Sequence, residues 1–270
     1  MSNTGHINMV NLQVLPQEQI AADQAAGTYD ANIAANPAYY NWNQCSFPFE
    51  PQGMAGDATG FVAQLKAAMP GVNTIRIPFN ENLFDAQGTL YAPYKAFLEA
   101  AVDAGFQIVV TYATGEAQQT GISGDMTGQQ IHDVLDGSMI ANATTAYTNL
   151  LNYLDANPAV KAGFYGIELM NEPASYMFGA QYGGTQQQFV ELYVKHVTQL
   201  AELIDARFDG KILVDAYRYA GSFAELAQTQ IDGKSALDHI REAAGDSLVW
   251  SAHLYPGWVP GHVVSLDAWR

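Results

Sequence analysis

The chain has 270 residues, 49% hydrophobic and 11% aromatic, with 27 acidic side chains against 11 basic ones and a net charge of −16. These proportions exclude a disordered chain and suit one α/β domain or two smaller ones. An acidic surface repels nucleic acid and anionic lipid, so neither is expected as a partner.

Residues 1–38 are polar, rich in Ala, Asn and Gln, and without clear periodicity; they read as a leader on the surface, ahead of a domain spanning 39–270. The N-terminus lacks the basic region and apolar core of a secretory signal, and no run approaches the ~20 apolar residues of a membrane helix. The aromatic stretch YYNWNQCSFPF (39–49) predicts the first strand. Its Cys45, the single cysteine, excludes a disulfide framework and reads as a small buried hydrophobe. Phe61, Leu65 and Met69 recur at helical spacing over 57–69, and Pro70–Gly71 ends that helix. NTIRIPF (73–79) predicts a second strand carrying one charge, Arg76. Pro93 opens a helix that Gly105 closes, and FQIVVTY (106–112) predicts a third strand.

A Gly-rich loop over 113–128 leads into a long helical stretch with Ile131, Leu135, Leu150, Leu151 and Leu154. The run GFYGIELMNEP (163–173) then predicts a buried parallel strand, continuous in apolar residues and stopped by Pro173. Glu168 and Glu172 share parity on it and are expected on one face, about 13 Å apart at roughly 3.3 Å per residue. Glu168, the deeper one, is expected to pair with Arg76. An aromatic loop (175–184) precedes a helix through Phe189, Leu192, Val197, Leu200 and Leu203. KILVDA (211–216) predicts a fifth strand. Ser235 is placed to cap a helix with Leu237, Ile240 and Ala244, and SLVWSAHL (247–254) predicts a sixth strand.

Repeated strand–helix alternation predicts a parallel sheet covered by helices. No G-x-G-x-x-G or P-loop pattern follows any strand, which argues against a nucleotide-binding doubly wound fold. The expected class is therefore a (β/α)8 barrel of the TIM type, with about six β/α units in this chain. Catalytic groups of such barrels collect at the C-terminal ends of the strands. Arg76 and Asn80, Asn171 and Glu172, Asp215 and Tyr217, and His253 and Tyr255 occupy those ends. An amide beside a carboxylate, ringed by Arg, His, Tyr and Trp258, suits a sugar, because aromatic faces stack on pyranose rings while amide and imidazole groups bond hydroxyls. Glu172, desolvated there, suits a general acid.

NTIRIPF, IELMNEP and SAHLYP, in that order, resemble the second, fourth and sixth strands of clan A glycoside hydrolases, with the cellulase family, family 5, the closest match. The resemblance runs from about residue 39 to 255. It implies retaining hydrolysis of β-linked polysaccharide or oligosaccharide, endoglucanase- or mannanase-like, with Glu172 as acid/base and Asn171 on the sugar 2-hydroxyl. It further implies that Arg76 lies under the second catalytic carboxylate and that His253 and Tyr255 line the catalytic subsite; Trp258 is added as a substrate-binding candidate. Two departures stand out. The third strand ends in TYATGEAQ, with Glu116 and Gln118 where many members carry a histidine. The family's nucleophile is a Glu ending a seventh strand, and only 15 residues follow Tyr255.

Retention needs two carboxyl groups about 5–5.5 Å apart, so the nucleophile is expected on an absent strand and this chain alone to be weakly active or inactive. The alternative is a non-catalytic carbohydrate-binding barrel or an inactive fragment. Tyr176, Phe178 and Tyr182 are weighed as sugar platforms against simple loop packing. Asp215 and Glu116 match no family position. His132, His196 and His239 are expected at surfaces or interfaces, and no metal or other cofactor is expected. The chain is read as a monomer with a carbohydrate partner, extracellular by a route without an N-terminal signal, with the cytoplasm as the other possibility.

Overall fold

The computed structural model describes residues 7–11, 25–28, 57–113, 122 and 125–253. The strand expected at 39–49, Cys45, Glu116, Gln118, Tyr255 and Trp258 lie outside these residues. Along the chain run β1 (Met9–Asn11), α1 (Ala58–Ala68), β2 (Thr74–Phe79), α2 (Ala92–Asp103) and β3 (Gln107–Ala113). Next come α3 (Gly128–Val134), a π-helical turn (Leu135–Met139), α4 (Ile140–Ala156), α5 (Pro158–Gly163) and β4 (Phe164–Asn171). The remainder is α6 (Ala174–Gln181), α7 (Gln186–Asp205), β5 (Lys211–Asp215), α8 (Ala224–Gln228), the short hairpin β6 (Gln230–Ile231) and β7 (Lys234–Ser235), α9 (Ala236–Ala244) and β8 (Leu248–Ser251).

Six strands form one parallel sheet in the order β1-β2-β3-β4-β5-β8. That order follows the chain without reversal, whereas a doubly wound sheet reverses at its switch point. Adding every strand on the same side traces the arc from which a (β/α) barrel is built. The α/β class expected from strand–helix alternation is what forms. One expectation is corrected: Met9–Asn11, inside the stretch read as a surface leader, pairs with Thr74–Arg76 as the first strand of the sheet. Three residues are too few to show a period of two.

Local signals start and stop the helices. Asp57 Oδ1 accepts the Gly60 N–H at 2.8 Å and caps α1. Pro93 sits in the first turn of α2, and Gly105 takes a left-handed φ of 84° to turn the chain into β3. Ser235 caps α9 by accepting from Asp238. The segment 175–184, read as a loop, is mostly α6; its aromatic and small residues lack a helical stripe, and the tertiary contacts of Tyr176 supply what periodicity does not.

Alternation divides each strand. Ile75, Ile77 and Phe79 of β2, Ile108, Val110 and Tyr112 of β3, and Ile167 and Leu169 of β4 join the helices in one buried core. Phe79 meets Tyr147 of α4 edge-on at 5.1 Å between ring centroids. The opposite face carries Arg76, Thr111, Glu168, Asp215 and Ser251. A sheet whose interior top layer is charged and hydroxylated, over a helix-facing layer of Ile, Val and Phe, has its chemistry on one side.

That face is sharpened by an irregularity. Thr111 is opposite Glu168 while Ala113 is opposite Asn171, so β4 carries one extra residue in between. Such a bulge re-aims the side chains beyond it. Asn171, on strict alternation, would share a face with Ile167 and Leu169; it instead reaches Arg76 at 2.8 Å. The Tyr147 hydroxyl lies 2.9 Å from each of two consecutive carbonyls, Glu168 and Leu169, and caps the bulge from the helix side.

Candidate active site

Arg76 is the floor of the site. It is 8% exposed, and its Nε donates to Glu168 Oε2 at 2.6 Å, with Nη2 against the same oxygen. Nη2 also donates to Thr111 Oγ1 at 3.2 Å and to Asn171 Oδ1 at 2.8 Å. One guanidinium thus joins β2, β3 and β4, which its planar fork of donors allows and a lysine would not. The expected Glu168–Arg76 pair is present. The other Glu168 oxygen accepts from Ser251 Oγ at 3.0 Å, bringing β8 into the array. Burial alone would push Glu168 upward, but Arg76 and hydrogen bonds from Asp215 and Thr111 outweigh it and hold the carboxyl below its ordinary range.

Glu172 begins where β4 ends. Its φ of 46° is left-handed and uncommon for a residue with a Cβ. Pro173, with φ −71° and ψ 55°, then forms a tight turn in which the Ala174 N–H reaches the Glu172 carbonyl at 2.6 Å. The equal-parity argument for Glu168 and Glu172 therefore needs correction: the bulge and the left-handed turn, not simple alternation, set where Glu172 points. Its N–H donates to Asp215 Oδ2 at 2.8 Å. Its Oε1 is 2.7 Å from His253 Nδ1, and its side chain is 24% exposed.

His253 stands between two carboxyls. Its Nε2 is 3.8 Å from Asp215 Oδ2, the oxygen that also accepts the Glu172 N–H. Its backbone N–H donates to the Ala220 carbonyl at 3.0 Å, which ties it to the short turn Tyr217–Ala220 after β5. That turn holds two further left-handed residues, Arg218 at φ 70° and Ala220 at φ 55°. Backbone strain of this kind clusters at functional sites, and here it places the atom that holds the histidine.

Asp215, a polar strand end that matches no family position, is central. Its side chain is fully buried; burial, and then the Glu168 charge beside it, push its carboxyl well above the ordinary range. Sequence reasoning missed Thr111 and Ser251, whose positions just inside strand ends facing Arg76 and Glu168 were the available signal. Tyr217 contributes to none of these bonds; its ring packs edge-on against Tyr193, with centroids 5.7 Å apart. Glu168, Asp215 and His253 bring one donor atom each within 4.8 Å of one another, a cluster that ligand spacing in the sequence did not announce. A cation there would sit beside the Arg76 guanidinium already bound to Glu168, so the donor set does not suit a metal ion.

Other expectations change. Tyr176 is buried, not a platform: its hydroxyl is 2.7 Å from His196 Nδ1. His196, expected near a surface, is fully buried, with Nε2 3.0 Å from Asp136 of the π-helical turn. Burial lowers the His196 pKa. Phe178 is half-buried and Tyr182 is 43% exposed, stacked in a tilted pair with centroids 6.3 Å apart. His132 is half-buried, and His239 binds the Ile231 carbonyl at 2.8 Å.

No known family profile and no curated protein matches the chain. Among solved structures it is similar to an endoglucanase from Pseudomonas stutzeri, at 17% identity over 78% of this chain and 56% of that one, with a TM-score of 0.40. A glycoside hydrolase family 5 enzyme from Prevotella bryantii gives 19% identity over 75% and 54%, TM-score 0.43. An endo-1,4-beta-mannanase from Eisenia fetida gives 18% over 75% and 62%, TM-score 0.35. The chain spans little more than half the length of the first two. A likeness this distant assigns no chemistry to the chain.

Proposed function

We propose that this chain carries part of the active site of a retaining O-glycosyl hydrolase acting on β-linked polysaccharide or oligosaccharide, with Glu172 as acid/base. The observation that supports it best is the Glu172 carboxyl, partly open, bonded to His253 and raised on a left-handed turn at the C-terminal end of a central parallel strand. The motif resemblance around Arg76, Asn171, Glu172 and His253 points the same way. In this reading Glu172 protonates the leaving oxygen and later takes a proton from the attacking water. His253 shares a hydrogen with it throughout, and Asn171, held by Arg76, presents its amide N–H groups to a sugar hydroxyl. Tyr255 and Trp258 are assigned to sugar binding on the motif resemblance and residue type alone.

Retention needs a second carboxylate about 5–5.5 Å away. Among the described residues, the carboxyls nearest this point are Glu168 and Asp215, both buried and bonded, so the nucleophile is assigned outside the described residues. The same observation supports a second reading, a carbohydrate-binding barrel without turnover. No helix among the described residues is long and apolar enough to cross a membrane, and we place the protein outside the cell as a monomer on the acidic, Lys-poor surface alone.

The test is a panel of β-linked glucan, mannan and xylan oligosaccharides, read for binding by calorimetry and for new reducing ends. Binding by the chain is expected. Any hydrolysis, in this chain or in a longer product of the same gene, is expected to fall at least ~100-fold in Glu172→Gln while binding persists. No binding across the panel, or hydrolysis indifferent to Glu172→Gln, rejects the assignment; binding with no hydrolysis in any form selects the second reading.

A further inference from the structure

We propose that Asp215 is the positioning residue for Glu172: its carboxyl clamps the Glu172 amide from the neighbouring strand and shares a single proton with Glu168. The residue matches no position in the motifs that resemble known hydrolases, so the assignment comes from geometry. The Glu172 N–H sits one residue beyond the end of β4, where pairing with β5 has already stopped at Glu168–Leu213. Left without a strand partner and with φ at 46°, that amide is bound by Asp215 Oδ2 at 2.8 Å. The bond holds the turn that aims the Glu172 carboxyl at His253.

Charge decides what form of Asp215 does this. The groups facing it are Glu168 from β4, Ser251 at the end of β8, His253 two residues beyond it, and Arg76 from β2 through Glu168. Tyr147 of α4 and Tyr193 of α7 approach from the helix side, and their hydroxyls are committed to backbone carbonyls, Glu168 and Leu169 for one and Asp215 for the other. Two buried carboxyls thus share one permanent cation, and like charges so close do not both ionise. Arg76 is on Glu168, so the charge stays there and the proton on Asp215. One further atom agrees. Asp215 Oδ1 is buried and accepts no hydrogen bond from any described residue; as an ionised acceptor it would be orphaned, whereas as an O–H it is a donor, with the Glu168 carboxylate beside Asp215 to receive it. Asp215 then accepts on one oxygen and donates from the other, the pattern of a neutral acid or a primary amide.

The clamp serves catalysis only if Glu172 is the acid/base, and to that extent rests on the reading above, but its test uses no saccharide. In the unmodified chain at neutral pH, infrared spectroscopy is expected to show the carbonyl band of a protonated carboxylic acid that disappears in Asp215→Asn and persists in Glu172→Gln. Absence of that band from the difference spectrum overturns the shared proton. Amide exchange followed by NMR reads the clamp: the Glu172 N–H is expected to exchange at nearly the native rate in Asp215→Asn, whose side-chain oxygen still accepts, and roughly five- to tenfold faster in Asp215→Val. Should the valine variant not fold, the asparagine variant decides alone, since a Glu172 amide that exchanges fivefold faster there overturns the clamp. A chain that passes both measurements and hydrolyses nothing keeps Asp215 in this role while the glycosidase assignment falls.

Discussion

Glu168 and Asp215 are carboxyls on adjacent strands whose shifts have opposite sign, and the pH dependence of stability follows from the difference. Glu168 is held low, so its contribution is present above the unfolded carboxylate value and is lost as pH falls through its folded value. Asp215 is held high by burial first and the Glu168 charge second. Below about pH 3.9 both states of Asp215 are protonated and nothing is lost. As pH rises past that, the unfolded chain releases the proton while the folded chain keeps it, so stability falls. Asp215→Asn removes only this second contribution. Its urea-unfolding free energy relative to the native chain is expected to improve as pH rises from about 4, at a slope approaching 1.4 kcal/mol per unit. A difference that stays flat with pH refutes the assignment of a high value to Asp215. From sequence, Asp215 was one of several polar strand ends; its importance lies in what β4 and β8 place beside it, which no local pattern records.

At the scale of elements, the bulge in β4 decides which side chains enter the site, and Tyr147 holds it. Tyr147→Phe leaves the Glu168 and Leu169 carbonyls without their hydroxyl, at an expected cost of about 1–3 kcal/mol in chemical denaturation; a change near zero shows that the bulge stands without it. The junction of α3, α6 and α7 is set by glycines. A Cβ on Gly179 would lie 2.0 Å from the Phe189 ring, and one on Gly128 would lie 2.4 Å from the Gly184 backbone nitrogen. Gly137, in the π-helical turn, has open space around it. Gly179→Ala is expected to destabilise by about 1–3 kcal/mol, and Gly137→Ala to be neutral or stabilising by up to ~1 kcal/mol, in paired thermal melts. Equal effects at the two sites would contradict the packing described. The positions of β2, β3, β4, β5 and β8, the stop at Pro173 and the cap at Ser235 were legible because they depend on neighbours within a few residues. The bulge was not, because an extra residue on one strand is defined only against its partner.

Across the whole molecule, 27 acidic groups against 11 basic ones produce self-repulsion that folding must overcome. The Arg76–Glu168 pair is buried and largely insensitive to salt, whereas exposed charges are screened within about 10 Å at 0.1 M ionic strength. The melting temperature is therefore expected to rise when sodium chloride is raised from about 0.05 to about 0.5 M, with Asp215→Asn tracking the native chain. A melting temperature that falls with salt would show that surface ion pairs, such as Lys95–Glu99 and Lys234–Glu242, outweigh the net repulsion.

The amino-acid sequence by itself determined the parallel α/β alternation, the buried run that becomes β4, and the pairing of Arg76 with Glu168, because apolar periodicity, turn residues and the need to neutralise a buried charge are local or nearly so. The tertiary structure alone decided that Met9–Asn11 is a strand, that Tyr176 and His196 are buried partners, and that Glu172 leaves its strand on a left-handed turn held by Asp215. Each of those depends on which segment lies alongside, and a hydrogen bond between residues 43 positions apart leaves no period in the chain.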